Sequence, residues 1–234
     1  MSTRKALHKT SHLLRETRGV TAIGRHSIKG NTPSGLTLEG EAKALWSGRN
    51  LPKGFFVSAS SGNEPRHQTT AKRMIEAFPG KKSMQVRVLE ELGFQHVRDK
   101  QKMEEIMKNF GITKALSKWI DGKIPQDIAD TPEKTGVKIL HYAIGETKKL
   151  MQSSPERPFH LNVASSWIEA AILKVLGINY RTIKPRRGRS RSPPKQGETL
   201  KETEALLFFH LPDGRTILSF RGKKFDVTKA LAKL

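Results

Sequence analysis

The chain has 234 residues, with 43 Lys and Arg against 22 Asp and Glu and a formal net charge of +21. That length suits one large α/β domain or two small ones. The lack of cysteine excludes disulfides and thiolate metal sites, and no run of about 18 apolar residues offers a membrane span. A field this positive attracts phosphate-bearing partners, whether nucleic acid, an acidic membrane or small phosphorylated molecules, and an intracellular, cytoplasmic setting is expected.

Residues 1–18 read as a basic extension in which Glu16 is the single acid. From 19 onward a single α/β domain is expected. Gly19 to Gly24 is a short buried strand, β-branched at Val20, Thr21 and Ile23. A polar loop follows, and Thr37 is placed to cap a helix with Glu39 and Glu41 in its first turn. Phe55–Ala59 reads as a second strand, followed by a loop and a helix from about Arg66 to Phe78, stopped by Pro79-Gly80. A third strand fits Met84–Leu89. Residues 99–151 are mainly helical with a break near Gly122–Pro132, and a helical cap insertion is expected over about 95–155. His160–Ala164 is a further strand feeding a helix from Trp167 to Leu176. Ala205–Leu211 and Thr216–Arg221 alternate around Asp213-Gly214, a strong hairpin signal. The expected architecture is therefore a three-layer α/β/α sandwich with a mostly parallel mixed sheet and a C-terminal β-hairpin.

Residues 181–195 carry seven cations and no acid, a composition that buries too little apolar surface to offset its ordering entropy. A disordered basic loop is expected over 181–199. Arg186, Arg187, Arg189 and Arg191 would serve non-specific attachment to nucleic acid or another polyanion. No aromatic residue interleaves them to stack bases. The three tryptophans, Trp46, Trp119 and Trp167, sit at helical apolar spacings and read as core.

Arg25-His26-Ser27 follows the first strand directly. In open α/β sheets ligands gather at the carboxyl ends of strands. A histidine there can act as a nucleophile, and an adjacent arginine can clamp phosphate oxygens. Ten residues on, Leu36-Thr37-Leu38-Glu39-Gly40 opens a helix. The second strand is followed by Pro65-Arg66-His67-Gln68-Thr69-Thr70-Ala71.

In these two stretches the chain resembles the histidine phosphatase (phosphoglycerate mutase-like) superfamily. That family shows Arg-His-Gly or Arg-His-Ser after a strand, Leu-Thr-x-x-Gly at a helix start, and Ser-x-x-x-Arg-x-x-x-Thr-Ala after the second strand. The resemblance spans residues 19–78. It implies His26 as phosphoryl acceptor, Arg25 and Arg66 as the phosphate pocket, and a phosphorylated small molecule or phosphoprotein as substrate, with no metal or cofactor. Ser27 would add a hydroxyl to substrate binding. For the general acid, Glu90 and Glu91 are the candidates, with Glu104 and Glu105 behind them. The family's second histidine, after a later strand, is missing: Ala164 or Ser165 occupies its place, and Ser165 becomes a substrate-binding candidate. Two readings follow, a phosphatase or phosphotransferase with an incomplete site, or an inactive relative that binds nucleic acid or a ribonucleoprotein through its basic surface. A competing register treats His12–Thr17 as the first strand, with Glu16 standing where the histidine should be.

Overall fold

A computed structural model describes residues 11–183 and 204–234. Its centre is a seven-stranded sheet made of β1 (Gly19–Arg25), β2 (Phe56–Ser61), β3 (Lys82–Val88), β4 (Pro158–Ala164), β5 (Ala205–His210), β6 (Thr216–Phe220) and β7 (Lys223–Asp226), in the order β3-β2-β4-β1-β5-β6-β7. β3, β2, β4 and β1 run parallel, and β5, β6 and β7 add antiparallel pairs at one side.

Period-two alternation feeds two cores. On one face Val20, Ala22, Phe159, Leu161, Leu207 and Phe209 meet the helices α1 (Ser11–Glu16), α2 (Leu38–Arg49) and α3 (Pro65–Ala77). On the other, Ile23, Ala164, Leu206 and Phe208 meet α4 (Lys100–Phe110), α5 (Ile112–Ile120), α6 (Pro132–Ser153) and α7 (Ser166–Val175). The three-layer expectation therefore holds, and the hairpin forms as read, with Gly214 at φ +85° in its turn. The short α8 (Thr228–Leu231) closes the chain.

Four sequence expectations change. Residues 11–16 form a helix whose Leu13 is buried, which removes the competing register, since no strand runs through His12–Thr17, and ties that part of the basic extension to the core. Residues 1–10 lie outside the described residues. Within the stretch expected as a helical cap, 95–155, α6 is a layer helix packed on β1, β4 and α7, because Ile139, Leu140 and Ala143 form a buried stripe along it. Of the stretch expected as a basic loop, 181–183 belong to the packed fold, since Tyr180–Thr182 make a 3-10 turn with Tyr180 and Ile183 buried; Arg186, Arg187, Arg189 and Arg191 lie outside the described residues. Trp46 is 39 % exposed, whereas Trp119 and Trp167 are buried, their ring centroids 5.4 Å apart.

Candidate active site

β1 and β4 are adjacent parallel strands whose following helices diverge, α2 to one face and α7 to the other. A crevice opens at such a switch point, at the carboxyl ends of the strands. His26 sits on its floor, 7 % exposed, with its backbone N–H donating to the Ala164 carbonyl at 3.1 Å. Its Nδ1 lies 2.6 Å from the Ser27 carbonyl oxygen. A carbonyl only accepts, so Nδ1 carries a hydrogen in this contact.

The conformation after His26 is held by buried bonds. Ser27 is fully buried; its hydroxyl donates to the Gly40 carbonyl at 2.7 Å and its backbone N–H to the Thr70 hydroxyl at 3.0 Å. Ser27 is thus a tether between β1, α2 and α3, and its assignment to substrate binding is corrected: the hydroxyl is spent inside the fold. The Leu-Thr-x-x-Gly pattern acquires a reason here. Thr37 caps α2 by accepting from the Gly40 N–H, and a Cβ on Gly40 would fall 2.6 Å from the Ile28 carbonyl oxygen. Only glycine lets α2 approach the loop after His26 this closely.

The cleft beside His26 has a volume of about 500 Å³. Arg25, Arg66, Lys29 and Lys100 supply cations to its wall. Arg66 lies in the first turn of α3, and Ser165, Ser166 and Trp167 form the start of α7. Two helix N-termini therefore converge on the cleft; Pro65 at the start of α3 has no N–H, so the Arg66 N–H and those of Ser166 and Trp167, which lack intrahelical acceptors, are the ones that favour an anion. The Ser165 hydroxyl is 3 % exposed and has no hydrogen-bond partner among the described residues. The Arg66 guanidinium is held by Glu64 at 2.9 Å and lies over the Phe94 ring, 5.8 Å from its centroid. The apolar part of the wall is formed by Phe94, Val97, Met103, Met107, Ile112 and Trp167.

So the fold brings His26, Arg25, Arg66 and Ser165 to one cleft. It does not bring Glu90 and Glu91 there: Glu90 accepts from the Gln95 amide at 3.0 Å, Glu91 pairs with Lys138 at 3.6 Å, and neither lines the cleft. The 3-10 turn Glu90–Leu92 buries only Leu92 and turns both acids outward. Glu64 and Glu104 line the cleft instead. His160 sits on the α6 side of β4, between the Ser58 and Ser60 hydroxyls, and burial lowers its pKa to about 4. Among the described residues no three metal-ligating side chains cluster.

Two buried groups escaped the sequence reading. Glu169 is fully buried in α7; burial foremost, then Glu204, pushes its carboxyl well above the usual range, against the pull of Arg25 and Arg221. A lone acid inside the apolar run Trp167–Leu173 was the available signal. His67, next to Arg66, lies with its ring centroid 5.2 Å from that of His26. Nothing local in the sequence marks it.

No family model matches the sequence, and no curated protein is similar to it by sequence. Solved structures do match. A mycobacterial hydrolase superposes with a TM-score of 0.55 at 14% identity, covering 88% of this chain and 99% of its own. YhfR of Bacillus stearothermophilus gives 0.54 at 13% identity over 90% and 99%. A mycobacterial glucosyl-3-phosphoglycerate phosphatase gives 0.52 at 11% identity over 81% and 89%. With the sheet order above, these matches give the chain a phosphoglycerate mutase-like fold.

Proposed function

We propose that the protein is a phosphomonoester hydrolase that works through a phosphoryl group carried on His26, and that its substrates have an apolar organic part. The observation that carries this reading is the 2.6 Å contact of His26 Nδ1 with the Ser27 carbonyl, which leaves Nε2 as the nucleophilic nitrogen beside Arg25 and Arg66.

In the first step Nε2 attacks phosphorus, the P–N bond forms and the bond to the ester oxygen breaks. The arginines and the two helix N-termini stabilise the charge spread over the equatorial oxygens. The leaving oxygen takes a proton from a carboxylic acid. Glu64 is tied to Arg66, so Glu104, on the same helix as Met103 and Met107, is assigned that role. In the second step water attacks phosphorus, the P–N bond breaks, and the proton released by water returns to the carboxylate. Inorganic phosphate and the neutral Nε2 are restored. The apolar wall receives the organic group, and its two methionines adapt to varied shapes.

The test is hydrolysis of 4-nitrophenyl phosphate together with acid-labile labelling of the protein by a phosphorylated substrate. Wild type should turn over and become labelled. His26→Ala should lose both, with a rate loss of at least about a thousandfold. Equal rates in the two proteins would end this reading.

A further inference from the structure

The two steps above use His26 and leave its neighbour His67 without a part. The His67 side chain is 0 % exposed, and neither of its ring nitrogens has a hydrogen-bond partner among the described residues. Buried polar groups are normally paired, so a wholly unpartnered imidazole is a cost the fold carries. It is carried next to the nucleophile: the His26 and His67 ring planes are inclined by 32° with centroids 5.2 Å apart. The space is built for it, since a Cβ on Gly62 at the end of β2 would fall 2.4 Å from His67 Nδ1.

We propose that His67 is a positioning residue for His26 that takes up a proton when a phosphoryl group, or a dianion standing in for one, occupies the cleft. The inference rests on the reading of the cleft as a phosphoryl site.

The argument is electrostatic. The titratable and charged groups acting on His67 are His26 at the end of β1 and Arg66 on its own helix, while Gly62, just after β2, meets the ring with backbone beside the Leu92 carbonyl of the 3-10 turn. Burial foremost, then His26 and Arg66, hold the imidazole well below its ordinary range, so it is neutral in the empty cleft. A dianion on or beside His26 reverses the sign of the local field. At an effective dielectric constant of about 20, two negative charges roughly 6 Å away move a neighbouring titration upward by several pH units. The proton comes from solvent as the anion enters and returns when phosphate leaves. An N–H bond is the single bond formed on His67, and the resulting imidazolium offsets part of the phosphoryl charge without touching it.

The experiment uses the full chain and sulfate, which stays a dianion throughout the range. Ring ¹⁵N signals of His67, assigned by comparison with His67→Gln, should report a neutral ring at pH 6 in the free protein and a doubly protonated ring in the sulfate-saturated one. Sulfate affinity of wild type should exceed that of His67→Gln by about tenfold or more at pH 6, and the two should converge by pH 9. A purely structural loss would lower the variant's affinity equally at every pH. A neutral His67 in the saturated protein, or an affinity ratio independent of pH, overturns the inference alone. Failure of sulfate to perturb the signals of His26 and Arg66 overturns the phosphoryl-site reading with it. Should His67→Gln fold poorly, the wild-type spectra decide.

Discussion

Glu64 holds the guanidinium of Arg66 at 2.9 Å, so an internal carboxylate already occupies part of the positive field that an incoming phosphate needs. The pair is partly solvated, with Glu64 33% and Arg66 15% exposed along their side chains, so its strength is modest. Glu64→Gln removes the competing charge and should raise the affinity for inorganic phosphate by about three- to tenfold, whereas Arg66→Gln should lower it by at least about tenfold. Calorimetric titration at low salt reads both. Unchanged affinity in Glu64→Gln would show that the carboxylate swings clear of the anion at no cost.

The assignment of Glu104 as proton donor predicts a dependence on the leaving group. An alkoxide needs a proton as it departs, and 4-nitrophenolate does not. Glu104→Gln should therefore slow alkyl phosphates by about a hundredfold while changing 4-nitrophenyl phosphate hydrolysis by less than about fivefold. Equal slowing of both classes would take the role away from this side chain.

The apolar wall predicts a graded preference. Each methylene added to a primary alkyl phosphate and buried against Met103, Met107 and Trp167 should raise kcat/KM by about threefold, until the cleft is filled. Met107→Ser should flatten that series without abolishing turnover of the shortest member. A flat series in wild type would mean that the organic group stays in solvent.

Glu169 predicts a pH dependence of stability. Its carboxyl titrates far higher in the fold than in the unfolded chain, where 4.5 is the reference value. Below that pH both states are protonated. As pH rises past about 4.5 the unfolded chain sheds its proton and the buried carboxyl does not, so stability falls relative to a variant without the group. Glu169→Gln should be flatter than wild type above pH 4.5, by up to about 1.4 kcal/mol per pH unit. Denaturant melts at pH 4.5, 5.5 and 6.5 give the comparison, and parallel slopes would show Glu169 ionised beside Arg25.

Legibility in the sequence followed the range of the interactions involved. The strand at Gly19, the Thr37 cap and the Asp213-Gly214 turn are decided within a few residues, and each appears where the pattern put it. The place of α6 was not legible, because the helix is amphipathic whether it caps a cleft or packs on a sheet; only its partners β1, β4 and α7 distinguish the two. Glu90 and Glu91 looked suited to a general acid by chemistry, yet the direction of a 3-10 turn sends them outward.

By itself the sequence determined the alternation of strands and helices, the absence of thiol chemistry, and a histidine flanked by arginine at a strand end, because periodicity, capping and turn chemistry act locally. The tertiary structure decided who stands around His26. Ser27 is claimed by Gly40, Glu64 and Glu104 enter the cleft, and His67 is buried against His26. Gly40, Glu64, His67 and Glu104 lie 14 to 78 positions beyond His26 along the chain, brought together by sheet order and helix packing that no local pattern encodes.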